Sequence, residues 1–140
     1  MSESSPTYDL VEWCRQFREA WNRKDFDAIA NFYAADAEFT SHGIGAFEGR
    51  SAIRAFIEDW HAPFERFAME LEEILDLGSE VSFAVVVLNG NYAGSSSEVR
   101  LRYASVSTYA DGLIAKIRNY TDIDEARAAA ERLAQERAGD

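Results

Sequence analysis

The chain has 140 residues, 47% of them apolar, which is the size and composition of one globular domain and excludes a disordered chain. Its formal charge of −11 argues against nucleic acid and anionic membrane surfaces as partners. The longest apolar run, Phe83 to Leu88, is too short to cross a membrane, and no signal peptide is recognisable. We therefore expect a cytoplasmic protein, with residues 1–7 as a disordered N-terminus and residues 8–137 as a single domain.

Helical patterns dominate the first half of the chain. A first helix is predicted from apolar residues that recur at spacings of three and four, namely Leu10, Trp13, Cys14, Phe17 and Trp21. A short second helix around Ile29 has Asp25 as its N-cap. A third helix is predicted from the stripe Ile53, Phe56, Ile57 and Trp60, and Pro63 ends it. Cys14 is the only cysteine, which excludes an internal disulfide and favours a small core residue.

Strand patterns dominate the second half. A first strand over residues 36–41 is followed by a flexible loop containing Gly43, Gly45 and Gly49. Four further strands are predicted over residues 69–77, 81–92, 99–109 and 113–120. The turns between them are short, which allows only antiparallel neighbours and therefore a meander. An Ala-, Glu- and Arg-rich segment over residues 123–137 is expected to form a final helix.

This order of elements predicts an α+β fold. We expect a cone-shaped half-barrel, in which a curved mixed, mainly antiparallel sheet wraps around three N-terminal helices, with a C-terminal helix added. Long strands coil, and the apolar helix faces have only the concave side of the sheet on which to be buried. The open end of such a cone can hold a ligand.

Two stretches of the sequence, NFYAADAEFTSHGIGAFEGRSAIRAFI and YADGLIAKIRNYTDIDEA, resemble the SnoaL-like branch of the nuclear transport factor two superfamily. The resemblance covers residues 8–134 and is specific for the fold. The superfamily contains ketosteroid isomerases, limonene epoxide hydrolases, polyketide cyclases and non-enzymatic binding domains, so the resemblance leaves the function open. It implies a pocket for an apolar small molecule and a homodimer.

The known chemistries of these relatives can be compared with this sequence. The general-base Asp of the ketosteroid isomerases corresponds to Ser41, and their oxyanion-hole Asp falls near Arg102, which argues against steroid isomerisation. The last Asp of the epoxide hydrolase set corresponds to Asp122. Its other two members fall near Asn89 and Asn91, whose amides cannot act as a base or a charged clamp.

The candidate catalytic residues are Asp122 and His42. Asp122 follows the last strand and could serve as an acid or base, but Asp122 with Glu125 also fits a capping box for the final helix. His42 follows the first strand and could exchange protons with a ligand at the pocket mouth, or lie on the surface. His61 is expected at the surface of the third helix, near its C-terminus.

The residues predicted to bind the substrate are Trp21, Tyr33, Ser41, Trp60, Asn89, Asn91 and Arg102. Asn89 and Asn91 either orient a ligand or reflect a bulge at Asn89-Gly90. Arg100, Arg102 and Arg118 either bind an anionic substrate, pair with acidic side chains or face a partner subunit. No cofactor or metal is indicated, because the sequence contains no phosphate-binding loop, no cysteine pair and no His-x-x-x-His pair.

A homodimer through the convex face of the sheet is expected if apolar residues of two strands face outwards, namely Val85, Val87, Leu101 and Tyr103. Two functions stay open at this point. One is a cofactor-independent acid–base enzyme of the isomerase, cyclase or hydrolase type, acting on an apolar carbonyl or polyketide-like compound. The other is a non-catalytic ligand-binding or dimerisation module of the same fold.

Overall fold

The computed structural model describes residues 9–139, which form four helices and six strands. The helices are α1 Leu10–Asn22, α2 Phe26–Ala30, α3 Arg50–His61 and α4 Ile123–Ala138. The strands are β1 Tyr33–Ser41, β2 Gly45–Glu48, β3 Phe64–Gly78, β4 Val81–Tyr92, β5 Glu98–Ala110 and β6 Leu113–Tyr120. The predicted N-terminal segment, residues 1–7, lies outside the described residues.

All six strands belong to one curved sheet in the order β2-β1-β6-β5-β4-β3. Only β1 and β6 pair in parallel, while every other neighbouring pair is antiparallel. The predicted meander is therefore confirmed for β3 to β6. The return of β6 to β1 places the first and last strands side by side, and the sheet remains open at its β2 and β3 edges, as in a half-barrel.

The glycine-containing segment after β1 was expected to be a flexible loop, and this expectation is wrong for its second half. Residues Gly45–Glu48 form β2, which pairs with β1 so that Phe47 lies opposite Phe39. Gly43, with φ 79°, supports the tight turn that the two strands require. The Phe47 ring stacks on Phe56 of α3 with centroids 4.4 Å apart, and this burial offsets the low strand propensity of the segment.

Helices α1, α2 and α3 pack on the concave face of the sheet. The indole N–H of Trp13 donates to the carbonyl oxygen of Gly112 at 3.0 Å, which ties α1 to the β5–β6 turn. At the other end of α1, the side-chain oxygen of Asn22 accepts from the N–H of Met69 at 2.7 Å on the edge strand β3. These two bonds fix α1 across the cone and close one side of its interior.

Helix α4 packs on the opposite, convex face. A second apolar cluster joins the sheet to the helix through Phe83, Val85, Ala104, Val106, Ala126 and Ala130. Small alanines allow the helix backbone to approach the strands closely, which explains how an Ala-rich helix with little apolar surface is held. Within residues 9–139, no helix is long and apolar enough to cross a membrane.

The pairing of β4 with β5 corrects the expected facing of the strands. Residues directly opposite each other share a face of the sheet. Val85 lies opposite Ala104, and both contact α4, whereas Tyr103 lies opposite Val86 on the concave side. The four residues expected to form an apolar outer face are thus divided between the two faces. Most of the apolar convex surface is already covered by α4.

His61 does not lie on the surface as expected. It is the last residue of α3 but only 2% exposed, and it packs against the rings of Trp21, Phe26 and Phe67. Neither ring nitrogen has a hydrogen-bond partner among the described residues. Burial, with a smaller contribution from Lys24, lowers the pKa of His61 to about 4, so the imidazole is neutral at pH 7.

Candidate ligand-binding cavity

A cavity of about 70 Å³ lies between helices α1 and α3 and the concave face of the sheet. Its helical wall comes from Trp13, Cys14, Phe17, Trp21, Ile57 and Trp60. Its sheet wall comes from Tyr33, Phe39, Met69, Leu71, Ser82, Ala84, Val86, Tyr103, Ser105, Ser107, Tyr109, Ile114, Ile117 and Asn119. The predicted substrate-binding residues Trp21, Tyr33 and Trp60 all belong to this lining.

The lining contains no Asp, Glu, Lys, Arg or His side chain. Burial raises the pKa of Tyr33 and of Tyr103, and the neighbouring phenols raise the pKa of Tyr33 further. Burial also raises the pKa of the Cys14 thiol to about 11. These groups are therefore protonated at neutral pH, so the cavity presents hydroxyl and thiol groups but no charge.

Polar groups are concentrated on the sheet wall. The hydroxyls of Ser82 and Tyr109 are 2.9 Å apart, and the hydroxyl of Ser105 donates to the side-chain oxygen of Asn119 at 2.6 Å. The amide nitrogen of Asn119 makes no hydrogen bond within residues 9–139, and neither do the hydroxyls of Tyr33 and Tyr103. These three groups are available as uncharged donors to a ligand.

An outer pocket of about 150 Å³ adjoins the cavity and shares Trp60, Tyr103 and Asn119 with it. The predicted site residues Ser41, His42 and Arg102 border this outer pocket together with Ile44, Leu101, Tyr120 and Thr121. Ile44 is 54% exposed and Leu101 37% exposed. Exposed apolar side chains beside the opening give the outer pocket an apolar rim, which favours approach of an apolar ligand.

One face of β5 supplies much of the polar wall, and sequence reasoning missed it. Tyr103, Ser105, Ser107 and Tyr109 alternate along the strand and all point into the cavity. The serines leave room that larger side chains would fill. Small polar residues at every second position of a long buried strand were the signal, and they would have identified Tyr103 as an inward-facing residue.

Asp122 does not line the cavity or the outer pocket. Its carboxylate accepts a hydrogen bond from the backbone N–H of Glu125 at 3.0 Å and so caps α4. No hydrogen bond or ion pair joins Asp122 to His42 in the described part of the chain. The structure thus brings His42, Ser41 and Arg102 to one pocket and leaves Asp122 outside it.

Asn89 and Asn91 lie on the convex face of β4, away from the cavity. The amide nitrogen of Asn89 donates to the carboxylate of Glu70 at 2.8 Å. Asn91 accepts from Arg66 at 3.1 Å and donates to the carbonyl oxygen of Ser97 at 3.1 Å. The pairing of β4 with both neighbouring strands is continuous at these positions, so the bulge considered for Asn89-Gly90 is also absent.

The glycine between the two asparagines has a different explanation. A Cβ atom at Gly90 would come within 2.8 Å of both the carbonyl oxygen of Arg66 and the ring of Phe64, and within 2.9 Å of the Phe67 ring. The rings of Phe64 and Phe67 stack with centroids 4.1 Å apart directly against the strand. Gly90 therefore provides the space that this ring pair needs.

Arg102 borders the outer pocket, but its guanidinium points to the acidic side of the sheet. It donates to Glu72 at 2.8 Å, and Arg100 approaches the same carboxylate at 3.7 Å. For Arg100 and Arg102, ion pairing is the interpretation that the contacts support. Among the described residues there is no group of three or more His, Cys, Asp or Glu side chains that could hold a metal ion.

The profile of the SnoaL-like domain matches residues 14–117. The chain belongs to the SnoaL-like family. The match covers α2, α3 and β1 to β5 in full and most of α1 and β6, and the cavity residues Trp13 and Asn119 lie just outside it. No curated protein matches this SnoaL-like chain.

Solved structures confirm the fold of this SnoaL-like domain. A proposed SnoaL-like polyketide cyclase from Jannaschia sp. CCS1 is 23% identical, with a TM-score of 0.70, and covers 94% of this chain and 98% of its own. A second similar structure is that of a hypothetical protein with a ketosteroid isomerase-like fold from Catenulispora acidiphila DSM 44928, in complex with trimethylamine. It is 19% identical with a TM-score of 0.71, and the alignment covers 85% of this chain and 92% of that protein. An LEH-like epoxide hydrolase from M. tuberculosis is 16% identical with a TM-score of 0.68, and the alignment covers 87% of this chain and 89% of the hydrolase.

Proposed function

We propose that this SnoaL-like domain binds a neutral, largely apolar small molecule that contains a ring and a carbonyl or similar hydrogen-bond acceptor. The observation that supports this most directly is the cavity lining, which is aromatic on the helical wall and uncharged throughout. A charged ligand would lose its hydration there without an opposite charge to replace it. A flat apolar ring would be favoured by the tryptophan and phenylalanine side chains.

The acceptor requirement follows from the three free donors on the sheet wall. Tyr33, Tyr103 and Asn119 each present an N–H or O–H group without a partner among the described residues. A ligand oxygen that accepts from them would form hydrogen bonds that no described residue provides. A ligand without an acceptor would leave the same donors buried and unpaired.

The size of the site sets a limit on the ligand. The inner cavity is smaller than the roughly 150 Å³ cavity that accommodates a benzene ring in an engineered protein core. A ring must therefore extend through Trp60, Tyr103 and Asn119 into the outer pocket. We propose that the acceptor binds inside and that the remaining body lies between Ile44 and Leu101 at the opening.

Binding without catalysis is the favoured function. The ionisable groups of the lining with altered pKa, namely Cys14, Tyr33 and Tyr103, all shift towards the protonated form. None of them supplies a base at neutral pH. Asp122, the candidate acid or base, serves α4 as its cap.

The experiment compares two ligands of nearly equal shape. Acetophenone contains a carbonyl oxygen and ethylbenzene does not, so calorimetry or protein NMR should find acetophenone the tighter ligand. Tyr33→Phe and Tyr103→Phe remove only the hydroxyls and should reduce that preference by up to about tenfold, the range expected for one hydrogen bond. Tyr92→Phe, at an exposed position, is the control. Equal binding of both ligands to all four proteins would contradict the proposal.

A second candidate function rests on the position of His42. Its side chain borders the outer pocket beside Ser41 and Asn119, where an imidazole could remove a proton next to a bound carbonyl. Exchange of the acetophenone methyl protons in deuterated water, followed by NMR, tests this chemistry. Exchange that depends on His42, and disappears in His42→Gln, would establish acid–base catalysis at the opening. Absence of exchange above the buffer rate would leave binding alone.

We also propose that the domain forms a homodimer through the convex strands that α4 leaves uncovered. This surface is polar, because Glu72 pairs there with Arg100 and Arg102. A dimer formed through it should weaken as salt screens its charges. Light scattering at micromolar concentration, in low and high salt, measures the mass in both conditions. A monomeric mass at low salt would contradict the dimer.

A further inference from the structure

A second concave site lies on the convex side of the sheet, where α4 crosses β5 and β6. This groove has a volume of about 220 Å³ and is separate from the cavity described above. Its lining residues are Val106, Thr108, Lys116, Arg118, Tyr120, Ala129, Arg132, Leu133 and Glu136. We propose that the groove binds a small amphipathic anion, namely a carboxylate attached to an apolar body.

The charge of the groove differs from that of the protein. The chain has 25 acidic and 14 basic residues, yet three basic residues and only one acidic residue line this groove. Lys116 is partly neutralised by Glu38 at 3.8 Å, and Glu136 lies at the helical side. The convergence of cations in an otherwise acidic molecule marks the groove as a place for an anion.

Two of these cations have no acidic partner. Among residues 9–139, the basic side chains without an ion pair or a side-chain hydrogen bond are Arg18, Arg118 and Arg132. Arg118 and Arg132 border the same groove, whereas Arg18 lies on α1, away from it. Arg100 and Arg102 on the neighbouring strand show that acidic partners are available on this face. The two groove arginines are left with guanidinium groups free to bind a carboxylate.

The arginines are held by different elements, which gives the groove a defined shape. The guanidinium of Arg118 lies 5.3 Å from the centre of the Tyr120 ring on the same strand. Arg132 belongs to α4, and the alanines of that helix fix it against the sheet. The anion would therefore be bound between strand β6 and helix α4.

The apolar floor of the groove explains why an anion without an apolar body would bind only weakly. Val106 is 7% exposed, and Ala129 and Leu133 are half-buried beside it. A single exposed ion pair contributes little to binding in water. An apolar body on this floor adds burial of apolar surface to the contacts with Arg118 and Arg132. The two contributions together select an amphipathic anion over inorganic ions and over neutral apolar molecules.

The test uses 4-phenylbutyrate as the probe and 4-phenylbutanamide as its uncharged counterpart. We expect saturable binding of 4-phenylbutyrate by calorimetry, at least tenfold tighter than that of the amide, with NMR shifts at Thr108, Ala129 and Leu133. The double variant Arg118→Gln with Arg132→Gln should weaken 4-phenylbutyrate at least tenfold. Arg18→Gln removes the third unpaired cation outside the groove and should leave binding unchanged. Arg118 and Arg132 are exposed, and Arg18 is half-buried without an ion pair or side-chain hydrogen bond among the described residues, so thermal melting curves should be alike for the three proteins.

Three results would overturn the proposal. The first is equal binding of the acid and the amide, which would show that charge is not recognised. The second is unchanged binding by the double variant, or shifts confined to cavity residues such as Tyr33 and Tyr103. The third is loss of a dimer in the double variant together with no binding of 4-phenylbutyrate to the original protein, which would make the groove a contact between two copies. Acetophenone binding in the cavity is measured in parallel, so its failure is distinguishable from that of the groove.

Discussion

The concave and convex faces of one sheet have opposite chemistry, although the same strands build both. On the concave side, inward residues of β4 and β5 join α1 and α3 around a cavity without a charged side chain. On the convex side, some of the alternate residues meet α4, and others form ion pairs or hydrogen bonds, such as Arg102 with Glu72 and Asn89 with Glu70. The comparison teaches that alternation along a strand places uncharged and charged side chains on opposite faces of the same sheet.

The largest expected effect tests the apolar half of the convex face. Phe83 is 0% exposed between the sheet and α4. Truncation by Phe83→Ala should lower the free energy of unfolding by about 3–5 kcal/mol, because it leaves a cavity under the helix. Chemical denaturation measures the change. Val11→Ala, at a position 59% exposed, is the control and should change stability by no more than about 0.5 kcal/mol. Equal losses in both variants would show that α4 is not part of the core.

The second-largest expected effect concerns His61 and tests whether the concave side excludes charge. The pKa of His61 lies near 4 in the folded state, against an ordinary value of 6.5. In the unfolded chain, His61 binds a proton as the pH falls through 6.5, whereas in the folded chain it stays neutral down to about pH 4. The stability associated with the neutral imidazole is therefore fully present above pH 6.5 and is lost as the pH falls from 6.5 to 4. At pH 4 the free energy of unfolding should be lower by on the order of 3 kcal/mol because of His61.

His61→Phe isolates this contribution, because carboxylates titrate in the same pH range in both proteins. Unfolding free energies measured from pH 7 to pH 4 should fall more steeply for the original protein than for the variant. Parallel curves for the two proteins would mean that the imidazole is hydrated in the folded state.

A smaller effect tests the packing of the concave strands. Gly90→Ala should cost about 1–3 kcal/mol, since the new methyl group overlaps the carbonyl oxygen of Arg66 and the ring pair of Phe64 and Phe67. Gly139→Ala is the matched control, because its Cβ would come no closer than 3.5 Å to another atom. A loss in Gly139→Ala as large as that in Gly90→Ala would remove the steric explanation.

The smallest effect separates the two roles considered for Asp122. Asp122→Ala should cost about 1 kcal/mol through loss of the α4 cap, whereas Asp122→Asn keeps a capping oxygen and should cost less. Both variants should bind acetophenone like the original protein, as measured by calorimetry. Normal stability with lost ligand chemistry in Asp122→Asn would restore this carboxylate to the site.

Much of the fold could be predicted from the sequence, because its signals are local. The stripe that includes Trp13 and Trp21 predicted α1, the Asp111-Gly112 turn predicted the β5–β6 hairpin, and the pattern as a whole predicted the half-barrel. The exception was β2, since Gly45 and Ala46 have low strand propensity and are held by pairing with β1.

The candidate site was less predictable, because its members are brought together only by strand register. A shift of one residue moves a side chain to the other face. The sequence therefore left open whether Tyr103 faces outwards and whether Asn89 contacts a ligand, and the pairing of Val86 with Tyr103 places Tyr103 on the concave side and Asn89 on the convex side. The burial of His61 likewise depends on three aromatic residues from α1, α2 and β3, which no local pattern connects.

The sequence by itself determined the class of the protein: an acidic chain with helical and strand periods in the SnoaL-like order. Only the tertiary structure decided which residues face the cavity, that Asp122 caps a helix, and that Arg118 and Arg132 meet in one groove. The physical reason is the range of the interactions. Periodicity and turn chemistry act over a few neighbouring residues, whereas facing, burial and charge pairing depend on residues that are distant in the chain.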